Sequence, residues 1–209
     1  MGRIFDQIDE KLADWLLAQF LFFVATAPSA PDGHVNLSPK GGAGVLRILG
    51  PNRIAYLDFV GSGAETIAHL RENGRIVLMF CAFDGPPKVI RLHGTGIVIS
   101  ADDPEYPELL ELFAPDDGFR LISRSIIVVD VERIADSCGF VVPRMELSSH
   151  REQLVQWAEK QERQHGQNWK ASYIQANNTR SIDGLPALDS PDIETESGLA
   201  AFSSNGRAL

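Results

Sequence analysis

The sequence is short of cysteine, of positive charge and of long apolar runs, and each shortage removes a class of function. Its two cysteines, Cys81 and Cys138, have no metal-type spacing and lie in apolar, strand-like surroundings. They are expected to be buried, reduced thiols of a cytoplasmic protein. Nineteen lysines and arginines stand against 28 aspartates and glutamates, a formal net charge of −9. That balance lacks the basic footprint of a nucleic-acid binder and gives an anionic membrane surface nothing to attract. No run of about 20 apolar residues is present to span a bilayer. The opening residues mix charged and apolar side chains, unlike a signal peptide. His34, His69, His93, His150 and His165 make no metal-ligand spacing. There is no Gly-x-Ser-x-Gly elbow, no Walker lysine and no Gly-x-Gly-x-x-Gly. No catalytic side chain and no metal site is therefore nominated.

What is there is a well-punctuated centre. Arg53–Phe59 carries the β-branched and aromatic residues of a strand. Gly61-Ser62-Gly63 breaks it. Ser62, followed three residues on by Glu65, spells a capping box, so a helix is expected to start at Ser62. Asn73-Gly74 supplies a left-handed stop. Residues 76–83 are a nearly unbroken apolar run, expected to be covered on both faces. Upstream, residues 3–18 read as an amphipathic helix and 20–26 as a strand. In 34–40, Val35 and Leu37 share one strand face, and His34, Asn36 and Ser38 the other. Further strands are expected at 45–49, 88–100, 125–131 and 137–142, and a helix at 101–113. Gly94 and Gly96 mark a bulge or a close approach of backbone. Residues 148–165 and 169–174 read as helices and 181–186 as a compact turn.

Most strands are joined by short turns. That favours an antiparallel sheet or barrel with helices attached, because a doubly wound parallel sheet needs a helix between most strands. The glycine turn presents backbone N–H groups at a helix start, where the dipole favours an anion. Lys40 or Arg91 would add positive charge. Taken alone, such a turn reads first as a plain helix start.

Four segments taken in order resemble a known family: His34-Val-Asn-Leu-Ser-Pro-Lys-Gly41, Ala55-Tyr-Leu-Asp-Phe-Val-Gly-Ser-Gly-Ala-Glu-Thr66, Leu70-Arg-Glu-Asn-Gly-Arg-Ile-Val-Leu-Met-Phe80 and Pro87-Lys-Val-Ile-Arg-Leu-His-Gly-Thr-Gly96. It is the pyridoxamine 5′-phosphate oxidase-like family of FMN-binding split barrels, in a bacterial branch distinct from the true oxidases. The resemblance implies a mostly β (α+β) fold, a six-stranded antiparallel split β-barrel with flanking helices over residues 1–145. A C-terminal helical extension at 146–190 and a flexible tail at 191–209 would follow. It implies a homodimer with FMN at the subunit interface, acting as a flavin-dependent oxidoreductase on a small molecule. Residue by residue, it nominates Asn36, Ser38, Lys40, Asp58, Ser62, Gly63 and Arg91 for the cofactor. The same fold also leaves open a non-catalytic flavin- or haem-binding module, or a deazaflavin-dependent reductase. Two departures argue against pyridoxamine phosphate as substrate. Gly63 and Ala64 stand where the true oxidases have an Arg-Lys pair, and their terminal Trp and Arg-Leu-x-Pro segment is missing. The C-terminal extension is expected to pack a dimer or to cover the groove.

Overall fold

The computed structural model describes residues 2–190; the tail expected at 191–209 lies outside them. The elements run β1 (Ile4–Phe5), α1 (Glu10–Leu17), β2 (Leu21–Thr26), β3 (Asn36–Gly41), β4 (Leu46–Gly50), β5 (Arg53–Phe59), α2 (Glu65–Asn73), β6 (Arg75–Cys81) and β7 (Val89–Ser100). They continue with α3 (Tyr106–Leu112), α4 (Asp117–Ile122), β8 (Ser123–Ser137), α5 (Gln153–His165) and α6 (Trp169–Asn177). One antiparallel sheet has the strand order β3-β2-β6-β7-β8-β5-β4, and β1 adds to β8. This is the expected split-barrel class, with seven strands in the main path rather than six.

The sheet curls around its main core because its strands alternate. Phe22, Val24, Ile54, Tyr56, Leu78, Phe80, Leu92 and Ile127 point inward and meet Leu12 and Leu16 of α1 and Ile67 of α2. A second cluster lies on the other side of β5 and β8, where Ala55, Leu57, Ile126 and Val128 pack under Tyr106 and Leu110 of α3. So β5 and β8 are the strands covered on both faces. β6 is not: Ile76, Leu78 and Phe80 are buried, while Val77 and Met79 are half-buried.

The N-terminal stretch expected as one helix is split. Asp9 accepts from the Leu12 N–H at 2.8 Å and caps α1, and Ile4 and Phe5 pair instead with Ala135 and Ile134 of β8. The strand expected at 125–131 is longer, running as β8 from Ser123 to Ser137, and the strand expected at 137–142 does not form. Cys81 is buried as expected; Cys138 is exposed, because it follows the end of β8. Gly74 ends α2 at φ 72°. At Gly94 the β7–β8 register shifts, and a Cβ there would run into the Asp130 carbonyl. Among the described residues no helix is long and apolar enough to cross a membrane.

Candidate functional site

Strand β3 is polar on the inside. Asn36, Ser38 and Lys40 are half-buried, while Leu37 and Pro39 face out. The inward face meets the end of β5 and the turn leading to α2, and together they enclose a pocket of about 340 Å³. Behind it sits Asp58, 1% exposed. Lys40 Nζ donates to Asp58 Oδ1 at 2.9 Å, and Arg124 Nε donates to Oδ2 at 2.8 Å. The Ser125 hydroxyl adds a bond to Oδ2 at 3.2 Å. Burial alone would push the Asp58 carboxyl up. The Arg124 and Lys40 charges and their hydrogen bonds outweigh it and hold the group well below the usual carboxylate range. The buried carboxylate has two cationic partners, and the charge this leaves over is offset by Glu65, which also lines the pocket. Lys40, partly exposed, is the cation with N–H groups to spare.

Arg124 also shapes the glycine turn. Its two terminal nitrogens donate to the carbonyls of Gly61 at 3.3 Å and Gly63 at 2.8 Å. Asn178, fully buried, donates to the Gly61 carbonyl from the other side at 2.8 Å. With the carbonyls drawn inward, the N–H groups of Gly61, Ser62 and Gly63 have no acceptor among the described residues. The expected capping box does not form. α2 begins at Glu65 behind Ala64, with no side-chain cap, because the hold on both carbonyls keeps 61–63 off the helical path. Glu65 Oε1 accepts instead from the Ile182 N–H at 3.2 Å.

The inner wall is a polar chain. Asn36 Nδ2 donates to Thr66 Oγ1 at 2.9 Å and Thr26 Oγ1 at 3.3 Å, and Thr26 Oγ1 bonds His69 Nδ1 at 2.9 Å. Burial pushes the His69 imidazole down, towards its neutral form. The Ser38 hydroxyl is buried and has no partner among the described residues, although Ser38 lines the pocket. An uncommitted hydroxyl, a lysine with free N–H groups and unpaired turn amides make a donor set suited to a phosphate-sized oxyanion. Among the described residues no cluster of histidine, cysteine and carboxylate could hold a metal.

The structure therefore brings Asn36, Ser38, Lys40, Asp58 and Gly63 to one pocket. Asp58 stands behind its wall as the partner of Lys40. Ser62 is exposed between two glycines that line the pocket. Arg91 lies elsewhere in the chain, on β7 between Met79 and Ala135, and donates to Ser137 Oγ at 2.8 Å. Sequence reasoning missed Arg124, Thr66 and Asn178. The one legible signal for Arg124 was a lone arginine at the head of the apolar run 126–129. The C-terminal extension turns out to hold the site's frame: Asn178 bonds the turn at Gly61, the Ile182 N–H bonds Glu65 at the start of α2, and Asp183 bonds His34, just before β3, at 2.6 Å. Leu154 of α5 also lines the pocket.

Residues 8–138 match the family described as pyridoxamine 5′-phosphate oxidase. A pyridoxamine 5′-phosphate oxidase family protein of Aspergillus flavus, ustO, is 38% identical over 205 residues, covering 91% of this chain and 79% of its own. Among solved structures, a variant of HupZ from Group A Streptococcus superposes with a TM-score of 0.50 at 21% identity, over 62% of this chain and 99% of its own. That likeness is one of fold. An FMN-binding protein from Syntrophomonas wolfei is more distant, with a TM-score of 0.46 at 19% identity over 59% of this chain and 82% of its own.

Proposed function

The chain belongs to the pyridoxamine 5′-phosphate oxidase family, and from that premise we propose that it binds a flavin, FMN, with the phosphate in the pocket of Ser38, Lys40 and the 61–63 turn. The observation that carries the reading is the buried Asp58, which fixes Lys40 on one side and Arg124 on the other. Lys40 supplies charge, Ser38 a hydroxyl donor, and the turn its amides. Arg124 and Asn178 act as positioning residues by turning the carbonyls of Gly61 and Gly63 away. Asn36, held by Thr66 and Thr26, faces the same pocket and suits a hydroxylated chain. This arrangement replaces the Arg-Lys pair that Gly63 and Ala64 lack.

Bound FMN would supply the hydride and electron transfer of an oxidoreductase, and the protein would bind and orient it. Pyridoxamine phosphate is not the substrate we assign.

The same reading makes the protein a homodimer with the flavin at the subunit interface. Support comes from the outward side of β3, where Val35 is 74% and Leu37 64% exposed. Phe23 and Met79, half-buried, continue that face on β2 and β6. An edge strand with apolar residues outward and polar ones inward is what a subunit contact requires. Leu37→Glu should give a monomer in sedimentation.

The test is direct. The purified protein should show flavin absorption in the visible, or take up added FMN with quenching of its fluorescence, and a nicotinamide donor should bleach it. A colourless protein that binds no added FMN sinks the reading.

A further inference from the structure

The inner wall of the pocket runs back into the protein through a chain of side chains. Asn36 lines the pocket from β3 and Thr66 from α2. Behind them Thr26 of β2 is 4% exposed, and His69 of α2 is fully buried. Thr26 Oγ1 stands between the Asn36 amide at 3.3 Å and His69 Nδ1 at 2.9 Å. The phosphate seat makes no use of His69, yet the ring is tied to the pocket wall through one hydroxyl.

A count of protons gives this chain a direction. The Asn36 amide has two N–H groups and one oxygen. One N–H goes to Thr66 Oγ1 at 2.9 Å and the other to Thr26 Oγ1. Both donors are spent on the wall. Oδ1 accepts from none of the described residues and is open to the pocket. Thr26 Oγ1, accepting from Asn36, has its own proton left to give, and His69 Nδ1 is the acceptor within reach. An Nδ1 that accepts leaves the proton of a neutral imidazole on Nε2. Burial keeps the ring neutral against the pull of Asp183, Glu65 and Glu72. With the proton on Nδ1 instead, the ring would donate to Thr26. The threonine could then turn its proton to Asn36, and the amide would turn over to present N–H groups to the pocket. One buried nitrogen therefore decides whether Asn36 offers the pocket an acceptor or donors.

Thr66 completes the pattern. Its oxygen accepts from Asn36, and its hydroxyl proton has no acceptor among the described residues. An acceptor on Asn36 and a donor on Thr66 stand side by side in the wall. That pair matches an alcohol, which gives one hydrogen bond and takes another. A phosphate oxygen without a proton can only accept, so it suits the Lys40 seat and not this one.

We propose that His69, acting through Thr26, fixes Asn36 as an acceptor, and that Asn36 and Thr66 together seat a hydroxyl group of the ligand. His69 touches no ligand and is a positioning residue. As a seat for the ribityl chain the pair rests on the flavin reading; the polarity of Asn36 does not.

Two measurements on the full chain test it. In the ligand-free protein, NMR of the ring nitrogens should show His69 with Nδ1 bare and Nε2 protonated, its signals identified by their loss in His69→Gln. Both side-chain N–H protons of Asn36 should be shielded from solvent exchange. A protonated Nδ1, or Asn36 protons open to exchange, would overturn the proposal. Riboflavin and lumiflavin share a ring system, and only riboflavin carries a hydroxylated chain. Wild type should bind riboflavin at least about fivefold tighter. Thr26→Val should lose most of that preference, and Thr26→Ser should keep it. No preference in wild type, or an undiminished one in Thr26→Val, would also overturn the proposal. If neither flavin binds, the flavin reading falls, and the His69 nitrogens and Asn36 protons alone decide the proposal.

Discussion

Beside the polar pocket a larger cleft, lined by Phe20, Phe59, Phe113 and Phe119, shares Gly41, Phe59 and Leu154 with its wall, and the two cavities are built on opposite plans. The polar pocket is made of groups that hold one another: Asp58 fixes Lys40 and Arg124, Arg124 and Asn178 fix the turn, and Thr26 and Thr66 fix Asn36. The cleft is made of rings and exposed charged side chains whose bonds are local: Asp116 caps α4 and Glu159 lies 3.9 Å from Arg163, one turn along α5. A site that must place an oxyanion needs prearranged donors, because a dipole that has to reorganise loses much of its worth. A site that takes an apolar ring needs area and shape. Damage to the pocket should therefore cost both fold and binding, whereas damage to the cleft's exposed charges should leave the fold intact.

The largest effect should come from Arg124→Met. It takes from the buried Asp58 its more deeply buried cation, leaving Lys40 and Ser125, and frees the Gly61 and Gly63 carbonyls, at about 3 kcal/mol in urea denaturation. Glu152→Gln in the cleft should stay within about 0.5 kcal/mol of wild type. Equal effects at the two sites would break the contrast.

Acid sharpens the contrast next. The folded pKa of Asp58 lies below its unfolded value, so its contribution is present above about pH 4 and is lost as pH falls. Wild type should lose about 2 kcal/mol more than Asp58→Asn between pH 7 and pH 2. Parallel losses would mean that Asp58 is no hub.

Ser38→Ala should leave stability within about 0.5 kcal/mol, since the hydroxyl has no protein partner. FMN affinity should nonetheless fall by about 1 kcal/mol, roughly fivefold. Unchanged affinity in a flavin titration would move the phosphate away from β3. The smallest effect concerns the C-terminal clasp. Asp183 raises the pKa of the exposed His34 imidazole through a hydrogen bond and its charge. That contact is therefore complete below about pH 6.5 and weakens as pH rises through the raised value. Amide protection factors at 181–185, which remove the base-catalysed rise common to all amides, should fall from pH 6 to pH 8 in wild type and show no such step in His34→Ala.

Much of this was legible in the chain, for local reasons. The alternation in 34–40 placed Asn36 and Ser38 on one face, and Asn73-Gly74 marked the stop of α2, because both are properties of a few neighbouring residues. What escaped depends on distant partners. Ser62 and Glu65 have the spacing of a capping box, yet Arg124 and Asn178, far along the chain, take the turn's carbonyls and move the helix start to Glu65. Arg124 itself hid at the head of an apolar strand, where one charge signals little until Asp58 is opposite. The extension read either as dimer packing or as a cover for the groove, because no local pattern says that Asn178 reaches Gly61. Arg91 alternates with Ile90 and Leu92 along β7, but alternation does not say which cavity its face meets.

The claim at the centre is that Lys40 and its surroundings seat a phosphate. It is tested most directly by binding FMN and riboflavin, which differ only in that group, to wild type and to Lys40→Met. Wild type should prefer FMN by at least tenfold, and Lys40→Met should lose most of that preference while riboflavin affinity holds. Equal binding of the two flavins by wild type, or an undiminished preference in Lys40→Met, would contradict it.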